Sequence, residues 1–284
     1  MQVPDQVAGW CRNQGLGEIV SQKPVSGGCI NQGAVIVTEE GGSFFLKTNA
    51  NQPPDMFQRE AEGLEALRVD QAPRVPEVLL VGKTFLLLED LQPAARGADY
   101  WEAFGRGMAH LHRQTHEVYG FEHDNYLGST PQANPWTENG FEFFAEHRLR
   151  YQVQLARQAG RIPPRDAGRV EDLAARLERY LPEQPASLIH GDLWAGNAIT
   201  DQDGQPAVID PAVHYGWAEA DLAMTDLFGS HPDSFYRAYQ HIRPLEKGFR
   251  DRFPLYNLYH LLNHLNLFGR SYLGQVQAVL DRYR

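Results

Sequence analysis

The sequence predicts an α+β molecule in two lobes: a small antiparallel sheet carrying one main helix, then a larger and mostly helical part. Three observations predict it. After a short N-terminal helix, short strand-like runs separated by turn residues fill the first 88 residues, interrupted by one main run of helical spacing. After Leu91-Gln92-Pro93 the character changes, and from Asp99 onward the apolar residues keep mostly helical spacing. Near the middle of that second part, two short apolar runs bracket a polar loop at 190–210. The expected division is 1–88 for the first lobe, 89–92 for the hinge and 93–284 for the second lobe.

In chain order, residues 5–20 read as an amphipathic helix with Val7, Trp10 and Cys11 on one face. Strands are expected at 19–26, 33–38 and 43–48, the last two joined as a hairpin by Glu39-Glu40-Gly41-Gly42. Asp55 is placed to cap a helix carrying Phe57, Ala61, Leu64 and Leu67. Pro73 and Pro76 end that region, and strands at 77–81 and 84–88 complete the sheet. Helices follow at 101–116, 141–158 and 166–181, and the apolar segment 253–283 reads as packing under the cleft. Leu188-Ile189 and Ala207-Val208-Ile209 read as buried strands, and Asp201-Gln202-Asp203-Gly204 as the turn of a hairpin.

Length and composition narrow the function classes. A chain of 284 residues buries a large core, and its ordinary charged and apolar fractions argue against disorder. A net charge of −10 argues against a nucleic-acid partner, because binding there rests on neutralising phosphates with Lys and Arg. No apolar run is long enough to span a membrane, and the N-terminus lacks the charged and apolar regions of a secretory signal. Two cysteines, Cys11 and Cys29, cannot build a disulfide framework, so a reducing cytoplasm is expected.

The chemistry lies in His190-Gly191-Asp192-Leu193-Trp194-Ala195-Gly196-Asn197 and Asp210. A carboxylate, a carboxamide and a second carboxylate follow one another at intervals of five and thirteen residues. Phosphoryl transfer from ATP needs that set: an Asp to accept the proton of an attacking hydroxyl, then Asn and Asp to hold Mg²⁺. The order and spacing match the catalytic loop and later metal-binding strand of kinases. Asp192 is therefore the expected base, with Asn197 and Asp210 the expected metal ligands.

Lys47 ends the run Phe44-Phe45-Leu46-Lys47, one of only four lysines among 26 basic residues. A strand lysine that grips phosphates is held by a helix glutamate, and Glu60 is the expected partner, since Glu62 and Glu65 fall on other helix faces. The plainer alternative is a lysine snorkelling at an edge strand. Gly27, Gly28 and Asn31 lie in a run between two strands upstream of Lys47, where glycines let backbone N–H groups approach phosphates. A structural hairpin would look similar. Cys29 in the same run is a candidate redox-sensitive thiol, an inert loop cysteine being the alternative. Gly82-Lys83-Thr84 resembles the end of a Walker loop but lacks its leading glycine and following helix. Backbone groups from Glu89 to Leu91 are placed to bond an adenine edge. Trp194 either stacks on a substrate or braces the loop. Asp221 reads as opening a helix and bonding the catalytic loop, and the histidines at 110, 112 and 116 as structural.

Taken together these residues resemble the fructosamine-3-kinase (ketosamine kinase) family, of protein-kinase-like and aminoglycoside-phosphotransferase-like fold. The resemblance covers nearly the whole chain. It rests on Gly27-Gly28-Cys29-Ile30-Asn31, Phe45-Leu46-Lys47, Asp124-Asn125-Tyr126-Leu127-Gly128 with Thr130-Pro131-Gln132, Phe143 to Leu149, the 190–197 loop with its Trp194, Asp210-Pro211-Ala212 and Asp221-Leu222-Ala223-Met224. It implies ATP- and Mg²⁺-dependent transfer to the 3-hydroxyl of an amine-linked ketose, either a small ketosamine or a glycated lysine side chain, and so deglycation. A monomer or weak homodimer is expected. His214 and Tyr215 join Trp194 as expected substrate contacts. Gly140, His214, Trp217 and Ala218 depart from the family pattern and are expected near the acceptor. A small-molecule kinase of the aminoglycoside or choline kinase type keeps the same chemistry with another acceptor. A catalytically silent nucleotide-binding regulator conflicts with the complete set Lys47, Asp192, Asn197 and Asp210.

Overall fold

Alternation in the first ninety residues folds as it reads. A computed structural model describes residues 2–25 and 31–283. The expectations for Gly27, Gly28 and Cys29 lie outside the described residues. Strands β1 (Ile19–Val25), β2 (Gln32–Thr38), β3 (Ser43–Thr48), β4 (Val78–Gly82) and β5 (Phe85–Glu89) form one antiparallel sheet in the order β1-β2-β3-β5-β4. Gly82 pairs with Phe85, so Lys83-Thr84 is a two-residue hairpin turn and not a phosphate loop. The period of two divides the lobe's apolar residues between the sheet's faces. Phe85 and Leu87 pack with Ile36 and Leu46 against Val7 and Cys11 of α1 (Asp5–Asn13), whereas Leu86 and Leu88 join Phe57, Leu64 and Leu67. α1 stops well short of residue 20 because Gly15 takes φ 73°, a left-handed conformation that ends a helix.

The main helix, α2 (Met56–Ala66), starts where the spacing predicts, but Asp55 does not cap it. Its carboxylate instead accepts from Tyr126 Oη at 2.7 Å and Arg59 Nε at 3.3 Å. Tertiary partners have outcompeted the local cap.

The second lobe is built from α3 (Tyr100–Leu111), α4 (Gly140–Phe144), α5 (Tyr151–Gln158), α6 (Pro164–Ala174), α7 (Ala218–Leu227), α8 (Asp233–Ile242), α9 (Phe249–Phe268) and α10 (Leu273–Arg282). The helix expected at 141–158 is α4 and α5 joined by a π-helical turn, Ala145–Arg150. The one expected at 166–181 stops at Ala174, and the segment 253–283 breaks into two helices after Gly269. Short strands carry the connections: β6 (Thr115–His116), β7 (Asn125–Leu127), β8 (Thr130–Gln132), β9 (Ala186–Ile189), β10 (Ala198–Thr200), β11 (Pro206–Val208) and β12 (His214–Gly216). β12-β9-β6 form one small sheet, and β10 pairs with β11 around the turn at 201–205. Among the described residues no helix is long and apolar enough to cross a membrane.

One buried side chain makes this lobe acid-sensitive. His231, 3% exposed, is walled by Trp101, Phe104 and Phe235 with ring centroids 4.7, 5.7 and 5.0 Å away. Burial pushes its pKa down to about 4. The unfolded chain takes up this proton near 6.5, so below that pH the unfolded state binds more protons and stability falls. The slope for one such group is about 1.4 kcal/mol per pH unit until about pH 4. His231→Phe is expected to remove this share, so urea midpoints at pH 7 and pH 5 should differ less than in the parent. An unaltered difference would contradict the assignment.

Candidate active site

The polar loop after β9 is held from three directions. Asp221, in the first turn of α7, accepts the backbone N–H of His190 at 2.6 Å and of Gly191 at 2.8 Å. The His190 carbonyl accepts from Ala212 N at 2.9 Å. The His190 ring bridges the loop's two arms, with Nε2 3.0 Å from the Ile209 carbonyl and Nδ1 accepting Asp192 N at 3.2 Å. Only the neutral Nε2–H tautomer satisfies both contacts, and burial pushes this histidine below its ordinary pKa. Gly191 is obligatory. Its φ is 82°, and a Cβ there would lie 2.1 Å from the Ala212 carbonyl.

Behind Asp221 lies a buried chain of polar groups. His112 Nε2 is 3.2 Å from Asp221 Oδ2, His112 Nδ1 is 2.9 Å from Tyr239 Oη, and Arg243 donates to that hydroxyl at 3.0 Å. Burial works against the Asp221 carboxylate, but the His112 and His190 rings and the Gly191 amide outweigh it and hold its pKa below the usual range. α3 ends at Leu111, so His112 and His116 do not share a helix face. His112 is fully buried, whereas His116 stacks on exposed Trp136 at 4.6 Å.

Hairpin pairing explains the thirteen-residue interval. Ala198 pairs with Val208 and Ile209 N donates to the Asn197 carbonyl at 3.1 Å, so Asn197 and Asp210 stand side by side at the hairpin's open end. Asn197 Nδ2 faces the loop, donating to the Asp192 carbonyl at 2.9 Å, to Asp192 Oδ2 at 3.2 Å and to the Asp210 carbonyl at 3.4 Å. Its Oδ1 therefore faces away. Asp210 takes φ 57°, a left-handed conformation that Asp tolerates better than most residues. Burial and the neighbouring Asp210 charge push the Asp192 carboxyl up to about 7, against the Asn197 hydrogen bond.

Lys47 meets this group from across the cleft. β3 lies inside the sheet, flanked by β2 and β5, and Lys47 is 5% exposed, which rules out snorkelling at an edge. Its Nζ lies 2.5 Å from Glu60 Oε1 and also contacts Asp210 Oδ1. Burial disfavours the ammonium, but Asp210 and Glu60 together more than offset that and keep it charged. α2 comes this close because of Gly63, one turn after Glu60, where a Cβ would lie 3.2 Å from Val213 and 3.4 Å from Pro211. Glu62 and Glu65 pair with Arg59 and Arg68, away from Lys47.

Other expected site residues are placed less uniformly. Asn31 Oδ1 accepts from Asn49 Nδ2 at 3.2 Å. The Glu89 N–H donates to the Glu77 carbonyl at 2.9 Å, so that amide is used within the sheet, and Leu91 is buried. Trp194 is half-buried, with its ring over Gly196. His214 is not on the open cleft. It is 6% exposed, its Nδ1 lies 3.1 Å from the Ala212 carbonyl, and it lines a small cavity of ≈ 20 Å³ with Gly140, Gly191 and Trp217. Tyr215 projects to the other face of β12, where it meets His116 and Trp136 at 5.0 and 6.3 Å. Adjacent strand residues point oppositely, so His214 and Tyr215 cannot serve one acceptor. Trp217, 3% exposed, packs on Phe141 and Phe144 beneath the loop, so its departure from the family pattern is a matter of packing.

Sequence reading missed a second brace. Asn125 Nδ2 donates to the Val213 carbonyl at 2.7 Å and Gln132 Nε2 to the Ala212 carbonyl at 3.1 Å, fixing the segment that follows Asp210. The polar residues alternating through β7 and β8 were the available signal. Among the described residues no group of three His, Cys, Asp or Glu side chains is arranged to hold a metal. Asn197 Oδ1, free of the contacts that Nδ2 makes, and the Asp210 carboxylate nevertheless offer two hard oxygens from neighbouring residues of the hairpin's open end. That donor set suits Mg²⁺, which takes few protein ligands and completes its shell with water and phosphate.

The arrangement has relatives. The model of the fructosamine kinase family matches residues 6–284. A probable ketoamine kinase of Synechocystis sp. is 45% identical over 270 residues, spanning 93% of this chain and 90% of the relative. A chloroplastic protein-ribulosamine 3-kinase of Arabidopsis thaliana is 38% identical over 290 residues, spanning 98% and 87%. The crystal structure of a candidate fructosamine-3-kinase from Thermobifida fusca superposes with TM-score 0.87 at 32% identity, covering 98% of both chains. An ADP-bound aminoglycoside phosphotransferase shares the fold alone, at TM-score 0.62 and 14% identity over 98% of this chain and 97% of its own. The fold is thus the two-lobed one of protein-kinase-like phosphotransferases, and the chain belongs to the fructosamine kinase family.

Proposed function

We propose that this protein is an ATP-dependent ketosamine 3-kinase, transferring the γ-phosphoryl group to the 3-hydroxyl of a ketose linked to an amine. The observation that carries the reading is the meeting of Lys47, Glu60 and Asp210 at the cleft face where Asn197 bridges Asp192 to Asp210. Asp192 accepts the proton of the 3-hydroxyl as its oxygen attacks the γ-phosphorus and ADP leaves. Asn197 keeps the Asp192 carboxylate aimed. Lys47, steadied by Glu60, turns from Asp210 to the α- and β-phosphates. The Glu89 carbonyl and the Leu91 amide are the groups assigned to the adenine edge. Asn197 Oδ1 and Asp210 would hold Mg²⁺, which would neutralise charge on the phosphates.

C3 is the α-carbon of the C2 carbonyl, so loss of a C1 proton gives an enaminol from which the C3 phosphate leaves as inorganic phosphate, and water then hydrolyses the resulting C1 imine and releases the amine. Ribulosamines and fructosamines, free or on lysine side chains, are the proposed acceptors, in keeping with the names of the relatives. Incubation with Mg-ATP and a ribulosamine or fructosamine is expected to give equal amounts of ADP and sugar 3-phosphate by phosphorus NMR. Nucleotide binding without transfer to any amine-linked sugar would overturn the reading.

A further inference from the structure

From the catalytic loop a row of aromatic rings runs outward across the helical lobe. Trp194, two residues past Asp192, meets Phe228 edge-on at 6.4 Å between centroids. Phe228, just past α7, lies 4.8 Å from His264 on α9, and His264 lies 5.3 Å from Phe268 and 5.1 Å from Tyr272. Core aromatics of the same lobe, such as Phe235 and Tyr239, are fully buried, but every ring of this row keeps part of its surface open, Phe268 as much as 46%. His264 Nδ1 lies 2.8 Å from the His260 carbonyl, and burial pushes the ring's pKa below its ordinary value. The imidazole is then neutral at pH 7, and no ring of the row carries a charge.

We propose that this row is the subsite for the amine-bearing arm of the acceptor, receiving an apolar alkyl or aryl chain attached through the ketosamine nitrogen. The proposal rests on the ketosamine reading above. With the 3-hydroxyl at Asp192, the nitrogen on C1 is two carbons away, so whatever it carries leaves the reaction centre within a few bonds. Trp194 follows Asp192 by two residues on the same loop, and the row continues from it ring to ring. Partly exposed rings stabilise methylene and aryl groups laid on them. A carboxylate there would lose water without gaining a charged partner from the rings. The enzyme should therefore prefer ketosamines of hydrophobic amines, or of the lysine methylene stem, over those of glycine.

The test is a series of ribulosamines made from methylamine, butylamine, phenethylamine and glycine, assayed with Mg-ATP. Wild type is expected to favour the butyl and phenethyl arms over methyl in kcat/KM by about tenfold, a fraction of full burial of the added carbons. Phe268→Ala and Phe228→Ala are each expected to lower the phenethyl-to-methyl ratio by roughly fivefold, through KM. Exposed Phe268 can be truncated without opening the core, which keeps one variant readable if the other folds poorly. A wild-type ratio near one, or a ratio that neither variant alters, overturns the subsite alone. Failure to phosphorylate any member overturns the ketosamine reading and the subsite with it.

Discussion

Replacing Asp192 with Asn is expected to lower kcat by roughly 10²–10⁴ while nucleotide binding is kept, as loss of a positioned base usually does. The substitution is nearly isosteric, and a carboxamide oxygen can still accept from Asn197 Nδ2, so the loop should hold its shape. In the proposed chemistry, what disappears is the lone pair basic enough to take the 3-hydroxyl proton. The pH profile adds an independent sign. A base must be deprotonated, so activity is lost as pH falls through its pKa, which burial and Asp210 push up to about 7. With the proposed cation between Asn197 and Asp210 offsetting the Asp210 charge, the acid limb of kcat/KM is expected at or below pH 7. That limb should vanish from the residual activity of D192N. Full turnover in D192N would remove Asp192 from the proposed chemistry.

Much of this site was legible because local pairing fixes it. A hairpin with its turn at 201–205 converts the thirteen-residue interval between Asn197 and Asp210 into adjacency, and helix geometry selects Glu60 over Glu62 and Glu65. Strand alternation and turn residues likewise revealed the small sheet, and Asp221 bonds the loop as its position suggested. Illegible features depend on contacts between distant segments. Asp55 looks like a helix cap, yet Tyr126, 71 residues away, takes its carboxylate. His214 and Tyr215 follow the loop closely in sequence, but β12 pairs with β9 and sends one ring under the loop and the other to the far face. Family departures at Gly140 and Trp217 misled for the same reason. A Cβ on Gly140 would lie 2.8 Å from Trp217 Nε1, so the two positions share interior space and not an acceptor surface.

The largest stability effect is expected at Asp221, which touches no reacting atom. Its carboxylate takes two backbone N–H groups of the catalytic loop and one imidazole nitrogen, all in an interior from which water is excluded. Asp221→Ala leaves those donors without an acceptor, at about 1–3 kcal/mol for each buried group left unsatisfied, read as a lower urea midpoint. Asp221→Asn should cost less, since its oxygen still satisfies one donor while its NH₂ faces another. Tyr239→Phe, which removes only the hydroxyl beside His112 Nδ1, should cost about 1 kcal/mol. Activity should follow the same order through kcat, because Gly191 and His190 carry Asp192, whereas acceptor KM should move little. If Asp221→Ala unfolded at the parent's urea concentration, the catalytic loop would have to be held by its Ala212, Ile209 and Asn197 contacts without Asp221.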